Sequence, residues 1–260
     1  MTSLQLQFLD VDRGALARRI AYLKQPGSAP GVLWMQGLKS DMVSTKASAL
    51  QTWAEDHGIA LTRFDYSGHG QSGGRFEDCT VGQWLDDSLA VFRSLTEGPQ
   101  VVVGSSMGGY LALLLLRRLQ ADYPDDAARL VALVLIAPAW DMTEELMWKA
   151  FPAEIRNEIE RTGRWLRPSA YGDPYPITRK LIDEGRRHLL DRKPWRPGIP
   201  VTILQGAADP DVPLVHVKEL IEFLQGDIDM IEVEGGDHRL SRPEDIAMIL
   251  STIERSRQIA

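Results

Sequence analysis

The sequence predicts an α/β protein with a mostly parallel, doubly wound sheet. Short apolar runs alternate with amphipathic segments along most of the chain, which is typical of buried parallel strands covered by helices on both faces. The N-terminal strands at 4–9 and 18–23 flank a short turn, so an antiparallel hairpin is expected at one edge. The alternation stops between 140 and 195, where Met, Trp, Pro and charged residues dominate and a helical cap insertion is expected.

The elements before this insertion follow from apolar periodicity and from helix boundary residues. Gly58 is expected to end the first helix, and Thr80 is expected to cap the second. The predicted strands are 4–9, 18–23, 32–35, 59–64, 101–103 and 130–137, and the predicted helices are 44–57, 80–95 and one that runs to about residue 120.

The insertion itself predicts short helices and no strand. One helix is expected to begin after Pro152 and to end at Gly163, and another is expected over 177–190. Beyond it, strands are predicted at 201–204 and 228–233 and helices at 213–224 and 242–255. The expected organisation is a core domain formed by residues 1–139 and 196–260, with residues 140–195 as a cap or lid.

Composition limits the classes of partner and of chemistry. With 260 residues, 44% of them hydrophobic, the chain can bury one large core. A net charge of −7 argues against nucleic acid and anionic membranes as partners. The single cysteine, Cys79, cannot form an internal disulfide, which is typical of a reducing compartment. No apolar run is long enough to span a bilayer. No group of residues with metal-ligand spacing stands out, and neither a metal nor another cofactor is expected.

The stretch 101–114 carries the strongest motif. Its apolar β-branched start indicates a strand and its leucine-rich end indicates a helix. Between them, residues 104–108 read Gly-Ser-Ser-Met-Gly and fit G-x-S-x-G. In this motif the serine lies on a sharp strand-to-helix turn, and its hydroxyl is exposed at a helix N-terminus. Ser106 is therefore the candidate nucleophile.

A carboxylate and a histidine follow two later strands, in the order that this architecture requires. Asp209 and Asp211 come after the strand at 201–204, and His238 comes after the strand at 228–233. Carboxyl ends of parallel strands share one edge of the sheet, so these side chains are expected near Ser106. Histidine can take and return the serine proton, and a buried carboxylate holds its tautomer.

Alternatives exist for both partners. Asp209 is preferred over Asp211 as the acid because Asp211 stands closer to a proline and can instead cap the next helix. Of the other histidines, His69 competes mildly with His238, since it lies in a glycine-rich loop. Asp237 adjoins His238, and neighbouring residues on an extended segment point apart.

Two backbone amides are candidates for an oxyanion hole. The amide of Met107 follows the nucleophile, and the amide of Leu38 lies in the loop after the strand at 32–35. The alternative for that loop is a plain turn at Gly37. Each hydrogen-bond donor of this kind is typically worth about 3–4 kcal/mol of transition-state stabilisation.

Five apolar residues of the expected cap have two open interpretations. They either line an apolar pocket for a fatty or aryl acyl group or pack the cap against the core. The tentative substrate-binding residues are Met142, Leu146, Met147, Trp148 and Phe151.

Several motifs together resemble one group of the serine α/β-hydrolase superfamily, the abhydrolase domain-containing protein ten group. They lie at 64–68, 98–100, 103–109 and 237–239. The resemblance extends over nearly the whole chain and implies an α/β-hydrolase fold with Ser106 as nucleophile, Asp209 as acid and His238 as base. Enzymes of this group are acyl-protein thioesterases (depalmitoylases) that also cleave acyl glucuronides.

The expected function is hydrolysis of carboxylic esters or acyl thioesters through an acyl-enzyme. Amide, lactone or carbon–carbon bond hydrolysis on the same triad is the alternative reaction, and a binding protein that has lost activity is the alternative class. Animal members of the group are mitochondrial. The start of this chain lacks an Arg-rich, acid-poor presequence, so a cytoplasmic location is expected instead.

Overall fold

A computed structural model describes residues 4–12, 17–169 and 173–259. Within them, eight strands form one sheet in the order β1-β2-β4-β3-β5-β6-β9-β10. Their bounds are β1 Gln7–Val11, β2 Arg18–Gln25, β3 Ser28–Met35, β4 Ile59–Phe64, β5 Gln100–Ser105, β6 Leu130–Ile136, β9 Val201–Gly206 and β10 Ile228–Val233. The first two pairings, β1 with β2 and β2 with β4, are antiparallel and the others are parallel. The predicted fold class is therefore confirmed.

Helices cover both faces of this sheet. The helices are α1 Thr45–His57, α2 Val81–Leu95, α3 Met107–Asp122, α4 Pro124–Ala127, α5 Ala153–Thr162, α6 Arg179–Gly185, α7 Leu214–Phe223 and α8 Pro243–Ile259. Strand β6 shows why both faces are buried. Its Leu133 belongs to the apolar cluster formed with α2 and α3, and the next residue, Val134, belongs to the cluster formed with α1 and α8.

Helix ends agree with the boundary residues in the sequence. Gly58 ends α1 in the left-handed conformation with φ 62°, and Gly163 ends α5 with φ 83°. The Thr80 side chain accepts a hydrogen bond from the Gln83 amide and so caps α2. None of the described helices is long and apolar enough to cross a membrane.

The segment between β6 and β9 differs from the prediction of helices alone. It contains an antiparallel hairpin of β7 Arg164–Arg167 and β8 Tyr175–Thr178, together with α5, α6 and short helical turns at Thr143–Trp148 and Arg186–His188. Strand β7 has an arginine at each end and β8 contains a proline, so these two four-residue strands give little apolar signal, and their pairing is decided by packing. Consequently the helix predicted from residue 177 begins only at Arg179. The division of the chain at 140 and 195 stays a prediction.

Candidate active site

The candidate nucleophile lies on a strained turn between β5 and α3. Ser106 has φ 55° and ψ −117°, a conformation that non-glycine residues rarely adopt. The backbone around it holds this conformation, because the Ser106 amide donates to the Ile136 carbonyl at 2.8 Å and its carbonyl accepts from Gly109 and Ala139 at 2.9 and 3.1 Å. Strain of this kind persists only where the surroundings impose it, and it often marks a functional site.

The two outer glycines of the motif are required by close backbone approach. A Cβ atom at Gly104 would collide with the carbonyl of Gly108, and one at Gly108 would collide with the carbonyl of Met35. These two glycines let the backbones of β3, β5 and the start of α3 lie in direct contact. Helix α3 can therefore begin at the residue that follows Ser106.

His238 connects Ser106 to Asp209. Its Nε2 lies 3.0 Å from Ser106 Oγ, and its Nδ1 lies 2.8 Å from Asp209 Oδ2. Asp209 follows β9 and His238 follows β10, so two adjacent parallel strands deliver both residues to one edge of the sheet. The structure thus brings together the three residues predicted from the sequence.

Asp209 is built to stay ionised. Its side chain is fully buried, yet Oδ1 accepts the amides of Asp211 and Val212, both at 2.9 Å. Burial raises the pKa of Asp209, but the hydrogen bond and charge of His238 and these two amides outweigh it, and the pKa lies below its usual value. An ionised carboxylate at this position stabilises an imidazolium on His238.

The other two carboxylates near His238 have different partners. Asp211 is about two-fifths exposed, and its Oδ1 lies 3.8 Å from Arg167 Nη2 on the hairpin. Asp237 Oδ1 accepts the amides of Arg239 and Leu240, both at 3.0 Å, and so stabilises the turn that carries the histidine. Of these three carboxylates, only that of Asp209 has a hydrogen bond with His238 in the described part of the chain.

Oxygens of Asp209 and Asp211 and a nitrogen of His238 lie within 4.8 Å of one another, close enough for metal ligands. However, both ring nitrogens of His238 already have hydrogen-bond partners in Ser106 and Asp209. A metal ion would have to displace one of them.

The remaining histidines lie in structural positions. His69 is buried among Tyr66, Phe76 and Trp84, and burial lowers its pKa to about 4. His216 stacks on Trp140 with 4.5 Å between ring centroids. The other two bond near neighbours, His57 the Trp53 carbonyl and His188 the Glu184 carboxylate.

The predicted oxyanion donors border Ser106. A Cβ atom built on Gly37 would lie 3.2 Å from the Ser106 Cβ, so the loop that carries Leu38 passes directly beside the serine. Met107 is the first residue of α3. Within the described part of the chain, neither amide nitrogen, of Leu38 or Met107, has a hydrogen-bond acceptor, and both remain available to a bound anion.

A buried carboxylate holds the loop on the Leu38 side. Asp65 Oδ1 accepts the Gln36 side chain at 3.3 Å and the Met42 amide at 2.7 Å, and its Oδ2 accepts the Gln71 amide at 2.7 Å. Burial raises the Asp65 pKa, although these amides favour the charged form. Asp65 therefore ties the loop before α1 to the glycine-rich loop after β4.

The five apolar residues proposed for substrate binding pack in the interior. Met142, Met147 and Phe151 are buried in the apolar cluster with α2 and α3, and Leu146 and Trp148 are half-buried against it. This placement shows packing of the segment against the core, and a role in acyl binding stays a prediction.

The sequence did not predict the hairpin of β7 and β8, which borders the loop that carries Asp209 and Asp211. Alternation along β7 directs Trp165 and Arg167 to one face, where Trp165 contacts Phe151 at 5.3 Å between ring centroids and Arg167 reaches Asp211. Tyr175, opposite Arg167 on β8, contacts Phe76 at 5.9 Å. The sequence of this strand, Arg-Trp-Leu-Arg at 164–167, does not alternate apolar and polar residues, so no periodicity marked it as a strand.

Fold and site together define a class. A serine on a strand-to-helix turn, with histidine and carboxylate after later strands of a doubly wound sheet, is the arrangement of an α/β hydrolase. The chain belongs to the alpha/beta hydrolase family, whose sequence pattern matches residues 28–249. It is an enzyme, a hydrolase of esters or thioesters, as the sequence predicted.

Named relatives cover most of the chain. It is 36% identical over 241 residues to the bovine palmitoyl-protein thioesterase ABHD10. The aligned region covers 90% of this chain and 75% of the relative. A crystal structure from Agrobacterium vitis S4 matches with 38% identity and a TM-score of 0.93, covering 98% of this chain and 99% of the other. Mouse alpha/beta hydrolase domain-containing protein 10 matches with 35% identity and a TM-score of 0.83, covering 96% and 97%. The resemblance seen in the sequence is confirmed.

The same relatives correct the predicted location. The bovine, mouse, orangutan, human and rat proteins are all named as mitochondrial. The expectation of a cytoplasmic location is therefore wrong, since these relatives point away from it.

Proposed function

We propose that this enzyme hydrolyses acyl thioesters and esters through an acyl-enzyme on Ser106. The observation that carries the proposal is the unbroken chain from Ser106 Oγ through His238 to Asp209, with contacts of 3.0 and 2.8 Å. A serine hydroxyl is a weak nucleophile until a base takes its proton, and this chain supplies the base and its orienting carboxylate.

In the first half-reaction His238 Nε2 takes the proton as Ser106 Oγ attacks the acyl carbonyl. Negative charge then develops on the carbonyl oxygen, and the amides of Leu38 and Met107 donate hydrogen bonds to it. His238 returns its proton to the departing thiol or alcohol, and the acyl group stays on Ser106.

In the second half-reaction His238 deprotonates water, which attacks the acyl-enzyme through the same oxyanion intermediate. Ser106 leaves with the proton, and the free acid is released. Asp209 stays ionised and stabilises the imidazolium in both halves, in agreement with its lowered pKa.

For the substrate we propose a long-chain acyl thioester carried on a protein. The support is the name of the ABHD10 relatives, palmitoyl-protein thioesterase, together with 34–36% identity over 90% of this chain. We further propose that residues 140–195 form the cap of this site. The segment lies between β6 and β9, and its hairpin reaches Asp211, two residues from the acid.

A fluorophosphonate probe tests the nucleophile. Wild-type protein should be labelled, and Ser106→Ala should lose both labelling and hydrolysis of p-nitrophenyl butyrate. Ser251→Ala, which removes an exposed hydroxyl of α8, is the matched control and should behave as wild type. A Ser106→Ala protein with full activity would contradict the proposal.

The acyl chain is tested with thioesters from two to sixteen carbons. Rising kcat/KM with chain length supports a long acyl substrate, and a steady fall beyond six carbons contradicts it. Comparison of each thioester with its oxygen ester and amide then separates thioester hydrolysis from the alternative reactions.

A further inference from the structure

The main chain beside His238 is held from both sides. On one side Leu240 is fully buried in the apolar cluster with α1 and α8, and it adopts the left-handed conformation with φ 41°. On the other side Asp237 accepts the amides of Arg239 and Leu240. These contacts use the amides of the turn, and the carbonyl of Arg239 accepts the Ser241 hydroxyl at 2.9 Å.

A second donor to this carbonyl, and a charged one, comes from the opposite half of the chain. Lys46, the second residue of α1, donates a hydrogen bond from Nζ to the Arg239 carbonyl, 193 residues away in sequence. Helix α1 directly follows the loop that carries Leu38. This hydrogen bond therefore joins the element behind the oxyanion loop to the turn that carries the base.

Charged side chains from two parts of the chain face Lys46. Asp237 and Arg239 face it from the histidine turn, and Asp245 faces it from α8. Partial burial of the ammonium and the positive charge of Arg239 lower the Lys46 pKa to about 8. The carboxylates of Asp237 and Asp245 offset part of this effect.

We propose that Lys46 is a positioning residue for the catalytic base: its ammonium holds the main chain at Arg239 and thereby keeps His238 aligned between Ser106 and Asp209. The inference rests on the proposed function, because it takes His238 as the catalytic base. It assigns no chemical step to Lys46 itself. Charged donors form stronger hydrogen bonds than neutral ones, so the contact weakens when the ammonium loses its proton.

Two consequences follow for catalysis. Alignment of the base affects the chemical step more than substrate binding, so loss of Lys46 should lower kcat and leave KM nearly unchanged. In addition, kcat of the wild type should decline as pH rises through about 8, where the Lys46 ammonium deprotonates.

The test compares kcat and KM of Lys46→Met, Lys46→Arg and wild type for p-nitrophenyl butyrate between pH 6 and 9.5. Lys46→Met should lower kcat about tenfold at pH 7 with KM within twofold, and it should lose the alkaline decline. Lys46→Arg keeps a permanent positive charge, so its kcat should stay within threefold of wild type and remain level above pH 8. Lys218→Met, which removes a half-exposed lysine on α7, should match wild type.

Other outcomes overturn the proposal. Wild-type kcat and an unchanged alkaline decline in Lys46→Met would do so, as would a loss of kcat that only parallels a lower unfolding midpoint while the pH profile stays the same. Should Lys46→Met fail to fold, Lys46→Arg decides the question, because an alkaline decline near pH 8 in that variant rules Lys46 out. Failure of the proposed function can be told apart from failure of this inference, because in that case the Ser106→Ala enzyme would remain active.

Discussion

At the scale of single residues, chemical environment separates two aspartates that stand two positions apart. Asp209 has a fully buried side chain, two backbone amides on one oxygen and His238 on the other. Asp211 is partly exposed and faces Arg167. The same residue type therefore has the surroundings of a catalytic acid at one position and those of a surface ion pair at the other.

Replacement of each aspartate by asparagine should separate their roles. Asp209→Asn should lower kcat for p-nitrophenyl butyrate about 10³- to 10⁴-fold, because the amide favours the wrong tautomer of His238. Asp211→Asn, the matched control, should lower it less than tenfold. The assignment of the acid is wrong if the larger loss follows the Asp211 change.

At the scale of elements, the strand-to-helix turn depends on backbones that touch. Gly108 lies where α3 passes the end of β3, and any side chain there meets the Met35 carbonyl. Because the loop with Leu38 follows β3, a shift of this contact would displace the Leu38 amide relative to the Met107 amide, and these are the two proposed oxyanion donors.

Gly108→Ala should therefore affect both stability and activity. Overpacking of this kind costs about 1–3 kcal/mol of unfolding free energy, and displacement of one oxyanion donor lowers kcat about 10²-fold. Urea unfolding and ester hydrolysis measure the two effects. Gly73→Ala, where the new methyl would have only ordinary contacts, is the control. If both variants lose the same activity, crowding at α3 is not the cause.

At the scale of the whole molecule, the segment between β6 and β9 is anchored at both ends. Asp141, at its start, accepts the amide of Leu190, near its end, at 2.9 Å. The Tyr110 hydroxyl on α3 donates to the His188 carbonyl at 2.7 Å. The helix that begins behind Ser106 thus also holds the segment proposed as the cap.

Asp141 should make stability depend on pH. Burial raises its pKa to about 6, although the Leu190 amide and the Tyr110 hydroxyl favour the charged form. The folded state binds this proton more tightly than the unfolded state, so the residue's contribution to stability is present below pH 4. It is lost as pH rises to about 6, by about 3 kcal/mol in all.

Asp141→Asn removes this ionisation and suits the left-handed φ of 50° at this position. Relative to wild type, the unfolding free energy of the variant should improve by about 2 kcal/mol between pH 4.5 and 7.5, as measured by urea unfolding. Asp229→Asn, a change of an exposed carboxylate on β10, is the control. A constant difference across this range would show that Asp141 is not the titrating group.

Much of the fold could be predicted because its signals are local. The strands predicted at 59–64 and 228–233 coincide with β4 and β10, and Gly58, Thr80 and Gly163 mark helix ends by their own conformational preferences. The hairpin of β7 and β8 could not be predicted in this way. Its strands are stabilised by contacts such as Tyr175 with Phe76, which join distant parts of the chain.

The amino-acid sequence alone was enough to bring Ser106, an aspartate after β9 and His238 to one place. The reason is geometric, since parallel strands in a doubly wound sheet end at the same edge. The sequence already favoured Asp209 over Asp211, but only the tertiary structure showed how their surroundings differ and placed Lys46 beside the histidine turn. Both depend on burial and on hydrogen bonds between residues far apart in the chain, which neither periodicity nor spacing encodes.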